Sequence, residues 1–458
     1  MFLQKKNLIL QFRKYLCDKT TQKMNKKRII LFLICLSVSL THVYGQMKTI
    51  GSSYLKNYPS DVYGASGQNW GIVQDARGIM YFANTNGVLE YAGADWKLIK
   101  TPTNAAVKSL AIDTTSNRIY VGAKGDIGFL QPDANGQLVF NSLLKKISPR
   151  YRNFADIWSV HITKEDGIVF EATSGLYFYK SDTFNVIPAR GLDGFRKTFY
   201  VDGNLYAYYT GSGLVKVSNG VMTKLPGAEI LDDKPINALK IYKDSLLVIT
   251  DSYGIYCYKN GTLTKKTTDV DGLIANDLYY TAFLNDGAYA FGTISKGLLV
   301  ADKDFRPVKL INAETGLINN RVTAVYQDAA NGIWIATSNG IAYTDIYSPF
   351  STFYNKLTGI SGTVRSIMCY KNMLYIGADA VFVADWKAIC DNPMKQLPRF
   401  EELKNPKGRY SIWKLDTIDG QLIGGGEKGL FVIDGKNIEL IDKGADRNIR
   451  TFVVPQEN

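Results

Sequence analysis

The chain has 458 residues, 46% of them hydrophobic and 21% charged, which is enough length and apolar content for a sizeable folded core. Its formal net charge of +12 comes mostly from residues 1–45, which hold nine Lys or Arg and one Asp. The remainder carries 45 basic and 41 acidic residues, a net charge of about +4, with no Lys/Arg run. This balance argues against nucleic-acid binding, and the three cysteines after residue 45 are not a disulfide framework.

The first 45 residues have the features of an export signal. A basic stretch runs from Met24 to Arg28, residues 29–40 are apolar, and small residues precede Gln46. Because an apolar run of twelve residues is short for a bilayer span of about 20 residues, we expect a cleaved secretory signal that starts at Met24. The mature chain is therefore expected on the periplasmic or extracellular side after Sec export.

The rest of the chain repeats an antiparallel meander that is clearest at residues 315–345. An apolar alternation over 322–326 is followed by a turn at 328–332, a second apolar run over 333–336 and a third strand after Gly340. Strands rich in β-branched and aromatic residues between Asn, Asp and Gly turns are typical of hairpins. A glycine near the start of the third strand recurs at Gly87, Gly128, Gly175, Gly213, Gly254, Gly297, Gly340 and Gly429. The mean step of about 43 residues predicts an all-β protein, a β-propeller built of four-stranded blades.

The order of these repeats predicts the domain organisation. Seven units precede Pro349, and a proline interrupts strand pairing. We expect residues 46–350 to form a first β-propeller of about seven blades. Residues 351–458 are expected to begin a second propeller, with two blades and the first strand of a third at 449–454. Because an incomplete blade leaves an open sheet edge, we expect the chain to be the front part of a longer protein, either a fragment or a truncated gene.

Residues typical of catalytic and metal sites are sparse. His161 is the only histidine after residue 45, and it lies in a predicted strand. A Ser/His/Asp triad and a His-rich metal site therefore have little support. Asp75, Asp113 and Asp328 occupy equivalent hairpin turns, where Asx turns explain them. We expect no catalytic residue, no metal and no cofactor.

Aromatic residues recur at one position near the start of the innermost strand of several blades. They are Trp70, Trp158, Tyr279 and Trp413. Side chains at that position could converge on the mouth of the propeller and stack on a flat ligand such as a sugar ring. Polar residues that could add hydrogen bonds from nearby are Asn69, Asn276, Asn320 and Arg321. The alternative interpretation is that the aromatic residues fill space between blades, as we expect of Trp334 and Phe170 on second strands.

The repeat resembles that of two-component regulator propellers, the periplasmic sensor regions of Bacteroidetes-type membrane regulators. The resemblance rests on Gly-Ile-Trp-Ile-Ala-Thr-x-x-Gly-Ile at 332–341 and on Gly-Leu-x-Asn-x-x-Val at 316–322. Motifs at 61–70, 77–82, 122–128 and 348–350 look like the subgroup whose propellers precede a three-tyrosine immunoglobulin-like domain. In that family a transmembrane helix follows, and then a histidine kinase, a DNA-binding domain or a cyclase. The resemblance covers residues 53–458, so any output segment would lie beyond Asn458.

The resemblance favours a non-enzymatic sensor that binds an extracytoplasmic ligand, such as a glycan fragment, or a partner protein. It implies an intact protein anchored in the inner membrane, which we expect to be a homodimer. This region itself would contact no nucleic acid and would reach the membrane only through missing C-terminal segments. The alternative is a secreted propeller enzyme, a polysaccharide lyase or glycosidase, that acts through carboxylates, Tyr and Arg around the axis. A degraded gene without function is a third possibility.

Overall fold

A computed structural model describes residues 51–191, 193–352, 358–391, 399–405, 408–441 and 448–452. The export signal predicted for residues 1–45 lies outside them. The described residues form nine four-stranded antiparallel sheets and only a few short helices. This architecture confirms the predicted all-β fold of four-stranded blades.

The strands follow one another along the chain as hairpins. The first is β1 (Tyr54–Tyr58). The first sheet contains β2 (Asn69–Gln74), β3 (Met80–Asn84), β4 (Gly87–Tyr91) and β5 (Trp96–Ile99). The second contains β6 (Val107–Asp113), β7 (Arg118–Ala123), β8 (Asp126–Pro132) and β9 (Leu138–Ser142). The third contains β10 (Ile157–Ile162), β11 (Ile168–Ala172), β12 (Gly175–Lys180) and β13 (Thr183–Pro188). The fourth contains β14 (Phe195–Val201), β15 (Asn204–Tyr209), β16 (Gly213–Ser218) and β17 (Val221–Lys224).

The same order continues through the remaining sheets. The fifth contains β18 (Ile236–Tyr242), β19 (Ser245–Thr250), β20 (Ile255–Lys259) and β21 (Thr262–Lys266). The sixth contains β22 (Leu278–Phe283), β23 (Tyr289–Thr293), β24 (Leu298–Ala301) and β25 (Pro307–Ile311). The seventh contains β26 (Val322–Gln327), β27 (Ile333–Thr337) and β28 (Gly340–Asp345) together with β1. The eighth contains β29 (Ser366–Tyr370), β30 (Met373–Gly377), β31 (Val381–Asp385) and β32 (Glu401–Glu402). The ninth contains β33 (Ile412–Ile418), β34 (Gln421–Gly426), β35 (Gly429–Asp434) and β36 (Asn437–Leu440).

Short helices occupy a few of the connections. The α-helices are α1 (Ser60–Tyr63), α2 (Asp271–Ile274) and α3 (Trp386–Asp391). Single 3-10 turns lie at Leu144–Lys146, Pro149–Tyr151, Glu229–Leu231 and Ala313–Thr315. Residues 449–452 are not assigned to a strand, and the rest of the strand predicted at 449–454 lies outside the described residues. The backbone N–H of Ile449 donates to the carbonyl of Gly426 at 3.0 Å.

The first seven sheets close a ring. Their innermost strands are β2, β6, β10, β14, β18, β22 and β26. Each contacts the next in this order, and β26 contacts β2. Strand β1 supplies the fourth strand of the seventh sheet, with Tyr54 opposite Asp345 and Tyr58 opposite Ile341. The sequence analysis did not assign β1 to this sheet, because its partner lies at the far end of the ring in sequence.

The hydrophobic core lies between neighbouring sheets. Trp334 on β27 is 5% exposed and packs against Tyr58, Phe82 and Tyr91 from the first sheet and β1. Phe170 on β11 is fully buried. These positions confirm the packing role predicted for Trp334 and Phe170. Apolar faces pressed together in this way hold each blade in register with the next.

Candidate functional site

The innermost strand of every sheet in the ring contains a β-bulge at its second residue. The register with the neighbouring strand shifts there in all seven sheets, so one residue per strand has no directly opposed partner. These residues are Trp70, Lys108, Trp158, Arg196, Asn237, Tyr279 and Thr323, and we call them the mouth residues. A bulge redirects the side chain that it carries, and bulges are common next to functional sites. The position that the sequence analysis had found from its aromatic residues is therefore a distinct backbone feature.

Trp70, Lys108 and Trp158 form a compact group on three consecutive sheets. The rings of Trp70 and Trp158 meet edge to face, with 6.1 Å between their centres. Lys108 comes from the sheet between them, and its Nζ lies 3.5 Å from the centre of the Trp70 ring and 5.4 Å from that of Trp158. Trp158 is 43% exposed. Aromatic surface of this kind at the end of a propeller axis can stack on a ligand ring.

Tyr279 and Arg321 form a second aromatic and cationic pair. The guanidinium carbon of Arg321 lies 5.6 Å from the centre of the Tyr279 ring. Burial raises the pKa of the Tyr279 hydroxyl, and the nearby guanidinium opposes this rise. Tyr279 is therefore a neutral hydrogen-bonding group beside an exposed cation.

Two uncharged polar mouth residues, Asn237 and Thr323, link neighbouring sheets together. The side-chain amide of Asn237 donates to Asp251 Oδ1 at 2.9 Å and to the carbonyl of Tyr279 at 3.0 Å. Thr323 donates to the carbonyl of Asn69 at 2.5 Å. Both side chains are buried. These two residues therefore link neighbouring sheets of the ring.

The remaining candidates lie apart from this group. Asn69 is fully buried, its amide donates to Tyr63 Oη and the carbonyl of Gly67, and its oxygen accepts from Asn84. This pairing gives Asn69 a structural role in place of the ligand contact that we had expected.

Asn320 also has a local role, because its side-chain oxygen accepts from the backbone of Ala313 at 2.7 Å. Asn276 is exposed just before β22, with a φ of 57°. Trp413 lies at the same bulge position of β33 in the ninth sheet. No ring contact among the described residues joins Trp413 to the other three aromatic candidates.

Lys108 and Arg196 are mouth residues that the sequence analysis missed. The alignment that matches Trp70 with Trp158 also places Lys108 and Arg196 at this position. The spacing of the innermost strands therefore identifies this position whatever the residue type, and aromatic character alone does not reveal Lys108 or Arg196.

A buried polar cluster lies between the third and fourth sheets. Ser159 Oγ donates to Glu171 Oε2 at 3.0 Å and lies 2.5 Å from Thr198 Oγ1, which in turn is 2.9 Å from His161 Nε2. Burial raises the pKa of Glu171 to about 7 and lowers that of His161 to about 4. In a catalytic triad the histidine stands between the acid and the nucleophile. Here the order is acid, serine, threonine, histidine, so the cluster does not have that arrangement.

At the opposite end of the ring, the turns between first and second strands border a cavity of about 340 Å³. Its lining residues include Gln74, Asp75, Asn117, Tyr326 and Asp328.

Within the described residues there is no cluster of His, Cys, Asp and Glu with the geometry of a metal site. None of the helices in the described part is both long and apolar enough to cross a bilayer.

Comparison with solved structures defines the class of fold. The chain is similar to the extracellular domain of the hybrid two-component system BT3049 from B. thetaiotaomicron, with 15% sequence identity and a TM-score of 0.62. It is also similar to the extracellular domain of BT4673 from the same bacterium, with 16% identity and a TM-score of 0.50. Each match covers 87% of this chain and 55% of the other, so this chain spans about half the length of those domains. Likeness at this level of identity shows a shared propeller fold.

The sequence comparison identifies the repeat more closely. Residues 316–339 match the profile of the family described as two component regulator propeller. They lie within the stretch that carried the predicted resemblance, and the match confirms that resemblance. No curated protein matches the chain in sequence.

Proposed function

We propose that this chain is the extracytoplasmic sensor region of a membrane signal-transduction regulator, and that its mouth binds a ligand without catalysis. The observation that carries the proposal is the group formed by Trp70, Lys108 and Trp158, which presents aromatic surface at one end of the ring. The repeat matched at 316–339 and the fold shared with extracellular domains of two-component systems support the sensor role. The ligand expected from this surface is an oligosaccharide fragment, because sugar rings stack on exposed aromatic faces.

The domain organisation belongs to the same proposal. Residues 46–350 would form the ligand-binding propeller, and residues 351–458 would begin a second propeller that continues in a longer protein. Output would then require segments beyond Asn458, which would also provide the membrane anchor and the contacts of a homodimer. On this proposal the chain is exported and has no catalytic residue.

Binding by the full chain can be followed through tryptophan fluorescence, because Trp70 and Trp158 lie at the mouth. We expect an oligosaccharide panel to contain a fragment that changes the emission, and Trp158→Ala to weaken its binding by about two- to tenfold, since an aromatic stacking contact is worth about 0.5–1.5 kcal/mol. Trp413→Ala is the matched control, because it removes the same residue type at the equivalent bulge of the ninth sheet. Equal loss in both variants would contradict a site at the mouth. New reducing ends or unsaturated products in these mixtures would favour the enzyme alternative.

A further inference from the structure

Lys108 is a cation without a close carboxylate partner at the centre of the proposed site. Its ammonium group lies over the Trp70 ring at 3.5 Å and within 5.4 Å of the centre of the Trp158 ring. Among the ion pairs of the described residues, none within 4.0 Å includes Lys108. The side chain is half-buried, so water solvates the charge incompletely.

The surroundings of Lys108 favour a bound anion. Burial lowers the pKa of its amine, the charge of Asp156 opposes this, and the charge of Lys124 adds to it. Cation–π contact compensates a partly desolvated ammonium only in part. A negative group would compensate more, because it supplies the Coulomb attraction and the hydrogen bonds that the tryptophan faces lack.

Cations and aromatic residues alternate along this side of the mouth. The first four sheets place Trp70, Lys108, Trp158 and Arg196 at their bulges in that order. Arg196 is exposed, and its Nε donates to Thr210 Oγ1 at 3.4 Å. A ligand that lies across these sheets would therefore meet a flat apolar surface and a positive group in turn.

We infer that the mouth selects an acidic sugar, a ring that carries a carboxylate or a sulfate, with the ring on the tryptophan faces and the anion on Lys108. This inference rests on the proposed ligand-binding function and names the ligand class of that site. Neutral sugars would use only the aromatic part. The selectivity arises from the alternation of residue types at equivalent bulges, which no single blade contains.

The test compares a charged sugar with its neutral counterpart. Trigalacturonate and its fully methyl-esterified form have nearly the same shape and differ in charge, and N-acetylgalactosamine 4-sulfate with neutral N-acetylgalactosamine tests a sulfate without a carboxylate. Titrations of the full chain should show the acidic form of one pair binding about tenfold or more tightly than the neutral form, and weakening as salt is added.

Lys108→Met tests whether this residue provides the selectivity, because it keeps an unbranched side chain and removes the charge. We expect the variant to bind the acidic and neutral forms within about twofold of each other. Lys216→Met, at an exposed position of the otherwise largely buried strand β16, should behave as the wild type. Equal binding of acidic and neutral forms by the wild type would overturn the inference and leave the proposed function standing. Selectivity that survives in Lys108→Met would also overturn it, and absence of binding by every probe would count against both.

Discussion

The two ends of the ring use the same repeat in opposite ways. At the hairpin end, Asp75 and Asp328 both accept two backbone N–H groups of their turn and one donor from an aromatic side chain of the second strand, Tyr81 or Trp334. At the mouth, seven bulges share one backbone position but carry aromatic, cationic and small polar side chains. In these two neighbouring sheets the aspartate serves the blade itself, because its carboxylate holds the turn to the second strand. A position that keeps its geometry while its chemistry changes is free to specify a ligand.

Asp328→Ala should have the largest effect on stability. The substitution leaves the N–H groups of Ala330 and Gly332 and the indole of Trp334 without their acceptor in a region where Asp328 is 7% exposed. We expect the free energy of unfolding to fall by about 3 kcal/mol, since each buried donor left unpaired costs about 1–3 kcal/mol. Urea denaturation followed by circular dichroism measures the change.

Asp113→Ala is the matched control for this variant. Asp113 occupies the equivalent turn of the second sheet but is half-buried and accepts only from Thr115 and Ser116. Its loss should cost about 1 kcal/mol or less. If both variants lose the same stability, the hydrogen bond from Trp334 to Asp328 contributes nothing beyond the stability of an ordinary Asx turn.

The buried cluster between the third and fourth sheets contains the carboxyl group of Glu171, which is less completely hydrogen-bonded than the carboxylate of Asp328. Among the described residues, no hydrogen-bond partner reaches Glu171 Oε1, which is buried. In the unfolded chain the Glu171 carboxyl has its ordinary pKa of 4.5. In the folded chain its pKa is about 7, because burial disfavours the charged form. The contribution of Glu171 to stability is therefore greatest below pH 4.5 and falls as the pH rises to about 7. Lys197 limits this rise in pKa, and Asp251 lies near enough to act on Lys197.

His161 has the opposite dependence. Its imidazole would gain a proton near 6.5 in the unfolded chain, but burial lowers the folded pKa to about 4. Its contribution is therefore complete above pH 6.5 and falls as the pH decreases toward 4. The two groups oppose each other between these values, so the wild type should show a nearly flat pH dependence there.

Single substitutions in this cluster should reveal the separate pH dependence that each group gives to the stability. Glu171→Gln should become more stable as the pH rises from 4 to 6.5, and His161→Gln should become less stable as it rises from 4.5 to 7, each by up to about 3 kcal/mol. Denaturation midpoints measured at several pH values give both slopes. Profiles parallel to that of the wild type would show that neither group changes its protonation on folding.

Sequence reasoning reached the local features of the fold and stopped at the long-range ones. The turns and the recurring glycines predicted the four-stranded meanders, because the residues that determine a hairpin turn lie within a few positions of it in the sequence. The pairing of β1 with β28 could not be found this way, since the alternation of Tyr54–Tyr58 does not say which distant edge it joins.

The same distinction between local and long-range features applies to the candidate site. A common position for Trp70, Trp158 and Tyr279 followed from aligning the strands, and the structure shows it to be a bulge. The pairing of Asn69 with Tyr63 and Asn84 depends on three segments meeting in space, which one strand cannot reveal. The placement of Lys108 between two tryptophans likewise requires three neighbouring sheets.

A smaller effect on stability than that of Asp328→Ala is expected from Trp158→Ala, which should mainly weaken ligand binding. The side chain is 43% exposed and contacts Trp70 and Lys108 on the two preceding sheets. Its removal should lower the free energy of unfolding by less than Asp328→Ala does, because much of the lost surface already faces solvent and no buried polar group is left unpaired. Measured beside Asp328→Ala in the same urea series, this variant separates the two ends of the ring. A loss of about 3 kcal/mol, equal to that expected at the hairpin end, would mean that the mouth tryptophans serve packing, which is the alternative interpretation of their position.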